Sequence, residues 1–491
     1  MPHASPDSAA PGHPRSLESL RARYGEGYRW RALAAMACGM VAAVLSATIF
    51  NVAAPSLMAD FHLGQDQVQW AVTAYMAAMT IAMLPVAWLV DRYGFRRVFL
   101  VAVLLLAVGS LGGALAPGFA AVVAMRILQG AAAGILQPMS TLLVLRHFPV
   151  DRQGRAMGIL SFGIVLAPAV APILGGLLVD HFGWRAIFLI TLPGCAAALW
   201  SGLALLPVRA PTPALHRFDW RGLALLTLAI LTLLQTVGGL HAHGLVSWPS
   251  AGGAALTVVA LLAFAVHARR VPGPLLQLSL FRQRAFAMGA VVSFIYGLGL
   301  FGSTYLIPVF LQTVLAYNAT TAGFALFPAG IALALVTPGA GHLADKVPAH
   351  RQTALGLLLF TLSFLALAWL ALGRGQGDIP LLPALMAAVV LGRVGLALIL
   401  PALNLGALRG LEAAQVGQGS GLVSCVRQVG GAVGVGLGAV YVEWRSSSLG
   451  IGGGGQAFAE VFLIVAVTFF LAMAAALGMV QPQRRKPPFD C

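Results

Sequence analysis

Acidic residues are scarce in this chain: 15 Asp and Glu stand against 30 Lys and Arg in 491 residues, and charged residues of both signs make up 9%. A soluble domain carries about a quarter charged residues, so an ordinary water-soluble fold is excluded. Cysteine is almost missing as well. Cys38, Cys195, Cys425 and Cys491 are scattered, with no metal or redox spacing, and read as small apolar fillers. Enzyme motifs are missing too: there is no G-x-S-x-G, no Walker-type loop and no histidine box. Gly450 to Gly455 does satisfy G-x-G-x-x-G, but no strand precedes it. His241 and His243 lack a third ligand for a metal. No enzyme chemistry, cofactor or metal is expected.

What is present is apolar length. Hydrophobic residues reach 59% and the mean hydropathy is +0.88. A bilayer core about 30 Å thick takes roughly 20 apolar residues per helix. Such runs recur at 33–56, 68–90, 98–116, 119–145, 156–179, 186–207, 222–241, 250–268, 285–313, 320–341, 352–373, 381–407, 416–442 and 457–480. The expectation is an all-α polytopic membrane protein with fourteen spans. The excess of basic residues, +15 net, could suggest nucleic acid, but 24 of the 30 fall in alternate connections and the two ends. That is the positive-inside pattern; it places both termini in the cytoplasm and needs no nucleic acid partner. Residues 1–31 are polar and are read as a disordered cytoplasmic arm without a cleavable signal.

One feature occurs twice. Trp88-Leu89-Val90-Asp91-Arg92-Tyr93-Gly94-Phe95-Arg96-Arg97 follows the second run, and Gly341-His342-Leu343-Ala344-Asp345-Lys346 follows the tenth. A repeated loop after matching helices implies two parallel halves. The division is then a tail (1–31), a six-helix half (32–207), two linking helices with flanking cytoplasmic segments (208–284), a second six-helix half (285–480) and a tail (481–491). A carboxylate in such a loop can pair with Arg or cap a neighbouring helix N-terminus, locking one conformation; the bland alternative is a solvated, topogenic loop. Three arginines, Arg126, Arg393 and Arg427, fall inside runs, whereas of the acids only Glu460 does, three residues from its start. An intramembrane Arg is a functional candidate by default unless it snorkels to the interface.

The 88–97 loop resembles the G-x-L-a-D-r-x-G-r-r loop of the major facilitator superfamily, with Ala87 for the first Gly. Arg126-Ile127-Leu128-Gln129-Gly130 with Gly134 resembles its fourth-helix motif. Gly163, Pro168, Pro172, Gly175 and Gly176 resemble the fifth-helix motif of its exporters, with Ala167 and Ala171 where glycines are usual. Trp184-Arg185-Ala186-Ile187-Phe188, Asp219-Trp220-Arg221-Gly222 and Arg427-Gln428-Val429-Gly430-Gly431 are similar to stretches of the fourteen-helix drug:proton antiporters. The resemblance spans roughly residues 30–480. One departure stands out: Ser46 occupies the place of that family's first-helix Asp, ahead of Thr48-Ile49-Phe50-Asn51-Val52-Ala53-Ala54-Pro55.

The resemblance implies a transporter in two six-helix halves plus two linking helices, exporting small, mostly apolar compounds by proton-linked antiport with alternating access. It implies a conformational lock at Asp91, Arg92, Gly94, Arg96, Arg97 and Asp345. Buried charge and coupling fall to Arg126, Gln129 and Arg427. Thr48, Asn51, Gln137, Tyr296, Tyr305, Gln312 and Asn404 would wall a cavity near the bilayer midplane. Its partners would be a small-molecule substrate, the lipid bilayer and protons, and the protein would act as a monomer in the plasma or inner membrane. With no embedded carboxylate, coupling would depend on substrate protonation or a peripheral acid such as Asp60 or Glu460. Two other readings stay open: a facilitator or importer of a metabolite or organic anion, and a transport-inactive membrane sensor.

Overall fold

The computed structural model describes residues 17–207, 217–243, 247–317, 319–373, 381–412, 414–450 and 453–480. The end segments 1–16 and 481–491, the connection 208–216, and the short stretches 244–246 and 451–452 lie outside them. The described residues form seventeen α-helices: α1 (Leu17–Tyr24), α2 (Tyr28–Phe61), α3 (Gln65–Ala82), α4 (Val86–Tyr93), α5 (Phe95–Ala114), α6 (Phe119–His147), α7 (Gln153–Phe182), α8 (Ala186–Leu189), α9 (Thr191–Leu205), α10 (Trp220–His243), α11 (Trp248–Arg270), α12 (Arg284–Thr313), α13 (Ala319–Lys346), α14 (Ala349–Ala371), α15 (Leu381–Leu408), α16 (Val416–Leu449) and α17 (Gly454–Leu477). Helices are what hydrocarbon demands, because each backbone N–H and C=O must then be satisfied inside its own segment.

Among the described residues twelve helices are long and apolar enough to cross a bilayer, or thirteen with α3 and α4 taken as one bent span. That pair departs from the single run read at 68–90. The chain turns through 56° across Met83, Leu84 and Pro85. Pro85 has no N–H to give the helix, and Met83 and Leu84 are buried against residues of α10, α11 and α16, which hold the bend from outside.

The beginning of the chain also differs from expectation. Residues 17–24 form α1 and the first span starts at Tyr28, where a disordered arm was read to residue 31. Leu20 and Tyr28 are buried, the Arg31 guanidinium sits 4.7 Å from the Tyr24 ring centre, and Arg155 lies 5.4 Å from that of Trp30. Aromatic rings and the stems of Arg side chains thus give a polar-looking segment enough surface to dock.

The buried apolar clusters are segregated. Two are built almost wholly from α2–α9 and another from α12–α17. A smaller one joins the hairpin α10–α11 to the bend after α3 and to α12 and α16. Asp219 anchors that hairpin. Its carboxylate accepts from the Gly222 N–H (2.8 Å), the Leu275 N–H (3.1 Å) and His267 Nε2 (2.7 Å), tying the start of α10 to the end of α11 and the segment beyond. Burial pushes the Asp219 carboxyl up, but those three donors outweigh it and hold it below the ordinary carboxylate range.

A depressed carboxylate stabilises the fold above its unfolded pKa of about 4 and loses that contribution as pH falls through the folded value. Asp219→Asn is therefore expected to cost roughly 1–3 kcal/mol at neutral pH. Its thermal midpoint should converge with the parent's as pH drops below about 4. An equal difference at all pH values would contradict this role.

Candidate functional site

Helix α7 begins on the face of the molecule that carries Asp91 and Asp345, and its first amides point at the second helix group. Asp345, at the end of α13, accepts from the Gly154 N–H at 2.6 Å and the Arg155 N–H at 2.8 Å. A carboxylate there satisfies orphan donors of a helix start and meets the positive end of its dipole. The Asp345 side chain is 6% exposed, so water screens it little. Arg409 completes the junction: Nε donates to Gln153 Oε1 (2.9 Å), and Nη2 donates to the Val150 carbonyl (2.8 Å) and faces Asp345 Oδ1 (3.5 Å). Burial lowers the Arg409 pKa and Asp345 opposes that.

Gly154, Gly158 and Gly341 make this approach possible. A Cβ on Gly158 would meet the backbone of Gly341, Pro338 and Thr337 at 2.9–3.0 Å. The hydrogen bonds joining α2–α9 to α12–α17 cluster at this end; the deepest runs from Ser420 Oγ to the Pro138 carbonyl at 3.1 Å. The end that carries Asp91 is closed.

The expected lock residues divide. Asp345 acts across the interface, but Asp91 pairs within its own group, with Arg146 Nη2 at 3.4 Å, and its side chain is 54% exposed. Arg96 Nη2 donates to the Leu203 carbonyl at 2.8 Å, again within the group. Gly94 ends α4 and starts α5 at φ +83, a conformation that L side chains resist. Arg92 and Arg97 are exposed. Sequence motifs missed Arg409 and Gln153, which lie outside the repeated loops.

Arg126, on α6, is 1% exposed and lies between two rings, 4.1 Å from the Tyr75 centre and 4.4 Å from that of Phe50. Its Nη1 donates to the Ser46 carbonyl (3.0 Å), Ser46 Oγ (3.4 Å) and Gln129 Oε1 (3.1 Å). Gln129 Nε2 passes the chain to Ser110 Oγ at 2.9 Å, and Thr191 Oγ1 donates to the same oxygen at 2.8 Å. The position where resemblance leads one to expect a carboxylate is thus the one Arg126 reaches. Ring faces and neutral oxygens stand in for the missing charge. Tyr75 carried no motif, Phe50 lay in the 48–55 stretch without an assigned role, and neither contact with Arg126 was foreseen.

On the second group Arg427 is 8% exposed, with Nη2 directed to Ser424 Oγ at 3.4 Å. Arg393, which no motif covers, directs Nη2 to Thr304 Oγ1 at 3.4 Å. Tyr296 lies within electrostatic reach of both guanidinium groups.

The seven expected wall residues do not share one environment. Thr48 returns its hydroxyl to the Val44 carbonyl of its own helix at 2.9 Å. Tyr296 and Asn404 are buried, Gln137 is half-buried, and Asn51, Tyr305 and Gln312 are exposed. A cavity of about 800 Å³ lies instead between α3 and α6 on one side and α10 and α11 on the other. Trp70, Ala74, Ile127, Leu231, Gln235 and Thr236 are among its walls, and none of the seven lines it. Of the α7 motif, Gly163 abuts Val41 and Gly175 abuts Ile49 and Val52, permitting close packing on α2, whereas Gly176 faces open space. The side chains of Pro168 and Pro172 lie outside the described residues.

The peripheral acids are engaged. Glu460 accepts from Arg445 Nε (2.7 Å) and Nη2 (2.9 Å), the Tyr441 hydroxyl (2.9 Å) and Gln456 Nε2 (3.0 Å). Asp60 accepts from Trp184 Nε1 at 2.7 Å and lies 3.5 Å from Arg185.

Comparison with known proteins adds independent findings. The family described as Major Facilitator Superfamily matches residues 36–435. A Mycobacterium tuberculosis protein named multidrug resistance protein B homolog is 33% identical over 407 residues, covering 82% of this chain and 74% of its own. A tetracenomycin C resistance and export protein of Streptomyces glaucescens is 30% identical, covering 85% and 77%. The solved structure of a human organic anion transporter superposes with a TM-score of 0.66 at 18% identity, covering 91% of this chain and 99% of that one.

The glycine contacts on α7 make a paired test. Gly158→Ala should lower the thermal midpoint, at a cost of roughly 1–3 kcal/mol for overpacking. Gly176→Ala should be neutral or slightly stabilising, since Ala is the better helix former. Equal effects of the two would mean that the α7–α13 crossing is not tightly packed.

Proposed function

The chain belongs to the major facilitator superfamily, and from that premise we propose that it exports small, mostly apolar compounds by proton-linked antiport with alternating access. It is an integral membrane transporter with relatives named for multidrug resistance and for tetracenomycin export. In the proposed arrangement α7 and the bent pair α3–α4 each cross the membrane, bringing the spans to fourteen. Residues 32–207 and 285–480 form two six-helix halves, the hairpin within 208–284 links them, and the protein works as a monomer. Both termini lie in the cytoplasm of the cell in whose plasma or inner membrane it sits, a placement supported by the crowding of arginines on the Asp91 face.

The observation that carries the reading is the polarity of closure. Asp345 caps α7 across the interface on the basic face, so with that face cytoplasmic the conformation is outward-facing. An alternating-access transporter must break such a contact to take up cargo from inside the cell. Coupling through Glu460 is disfavoured, because four hydrogen bonds from Arg445, Tyr441 and Gln456 already hold that carboxylate. Proton exchange carried by the substrate itself is the form of coupling we favour.

Deleting and overexpressing the gene should lower and raise tolerance to apolar toxic compounds, respectively. Asp345→Asn should reduce export by about tenfold, the worth of one charge-assisted bond, with normal insertion; Asp91→Asn should reduce it less. Ser46→Asp places a carboxylate beside Arg126 and should raise export of a permanent cation relative to a neutral dye. Unchanged tolerance in both strains, or an Asp91→Asn defect exceeding that of Asp345→Asn, would overturn the corresponding part of the reading.

A further inference from the structure

The linking hairpin leans on the bend after α3 and on α16. Leu226 and Ile230 of α10 join Met83 and Leu84 in one buried cluster, and Val237 lies against Gly436 of α16. Between those contacts α10 and α11 part from α3 and α6 and leave the cavity of about 800 Å³. The facing stripe of α3 is Trp70, Ala74, Ala77, Ala78 and Ala82, mostly side chains too small to bridge the gap. Sites for drug-sized ligands occupy roughly 300–1,000 Å³. Every wall residue comes from α3, α6, α10, α11 or Pro85 of the bend, so the cavity is separate from the interface between α2–α9 and α12–α17.

No charged side chain lines it. Most of its hydroxyls are spent: Thr232 and Thr236 return theirs to the Leu228 and Thr232 carbonyls at 2.8 and 2.7 Å, and Ser250 accepts from Ser247 at 2.9 Å. Two polar wall groups are not. Among the described residues no hydrogen bond engages the Thr73 hydroxyl or the Gln235 amide. A helical Thr in hydrocarbon ordinarily bonds the carbonyl one turn back, as Thr80 does at 2.7 Å. Both free groups lie at one depth. Thr73 is eight residues from the start of α3 and Gln235 eight from the end of α10, each about 12 Å in from the face opposite the closed one at 1.5 Å per residue. Hydrocarbon about 30 Å thick offers no water there, so an unpaired amide is costly.

We propose that this cavity binds a neutral compound with an apolar aromatic body and a carbonyl, which accepts a hydrogen bond from Gln235 or Thr73. The amide and the hydroxyl each have a donor to give. The alanine and leucine walls enclose the apolar body, and the exposed indole of Trp70 offers it a ring face. An ion is excluded, because no counter-charge in the walls offsets its desolvation. A lipid acyl chain would fill the same walls but leave both polar groups unpaired. The claim that the bound compound is cargo rests on the export reading; the claim that it binds does not.

Photolabelling of the purified full-length protein in lipid nanodiscs tests the site with benzophenone, a neutral aromatic ketone that inserts into nearby C–H bonds under near-ultraviolet light. Labelling should saturate and map to peptides of α3 and α10–α11. Diphenylmethane, which lacks the carbonyl, should compete roughly fivefold more weakly than unlabelled ketone, the worth of one neutral hydrogen bond, and the anion 4-benzoylbenzoate hardly at all. Gln235→Leu should raise the half-saturating benzophenone concentration about fivefold without changing competition by diphenylmethane. Ala78→Phe, which fills the cavity, should abolish labelling there. Labelling that never saturates, labels confined to the interface between the two helix groups, or a half-saturation unmoved by Gln235→Leu would overturn the proposal. So would co-purified phospholipid that shuts the probe out of the parent and is lost in Ala78→Phe, since the occupant is then an acyl chain. Transport in proteoliposomes separates the two readings. Saturable, Gln235-dependent labelling without pH-driven movement of any neutral compound sinks export and leaves the site. Conversely, pH-driven export with no saturable labelling of α3 and α10–α11 sinks the site and leaves export.

Discussion

The closed conformation depends on one interaction, a carboxylate on α13 capping the first turn of α7 across the interface between helix groups. Asp345 accepts two backbone N–H bonds at 2.6 and 2.8 Å from a nearly dry position. Hydrogen bonds to an ionised group contribute roughly 1.5–3 kcal/mol each. That is large enough to bias a two-state equilibrium and small enough for a ligand to reverse it. The glycine contacts at Gly154, Gly158 and Gly341 let the backbones come close enough for the cap to form. Arg409 then neutralises the carboxylate and reaches back to Gln153 and Val150, so a single cluster holds α7, α13 and the segment after α15 together.

The second constraint is charge in hydrocarbon. Around Arg126, Arg393 and Arg427 no carboxylate pairs with the guanidinium among the described residues, and two arrangements are visible. Around Arg126 the protein uses quadrupoles and neutral oxygens, a closed arrangement that also fixes α2, α3 and α6 relative to one another. Around Arg393 and Arg427 the donors are left underused.

Much of this was legible in the residues and some was not, for physical reasons. Apolar runs of about twenty residues announce helices in a bilayer, and the apolar segments read from the residues all fall on helices. The repeated Asp91 and Asp345 loops announced a gate, and either partner type was foreseeable; which loop caps and which merely pairs is decided by the glycines opposite, which no motif includes. The break at Met83 to Pro85 was hidden because an isolated proline in an apolar run signals a kink without its size. The expected wall residues fall in several environments. On helices that are apolar all round, hydrophobic periodicity does not say which face a Thr48, Tyr305 or Gln312 occupies. Arg393 was visible as a charge inside a run yet belonged to no motif, and its contact with Thr304 of α12 appears only in the fold.

The central claim is that the Asp345 cap holds the basic face shut in an outward-facing conformation. Pulsed electron paramagnetic resonance in lipid nanodiscs measures both ends at once. Spin labels at Arg97→Cys and His342→Cys report the closed face, and Asp180→Cys with Gln312→Cys the other, in a background without Cys38, Cys195, Cys425 and Cys491. All four labelled positions are exposed. The account predicts that Asp345→Asn lengthens the first distance and shortens the second, a reciprocal shift between two populations. Distance distributions at both faces that are unchanged by Asp345→Asn would contradict it.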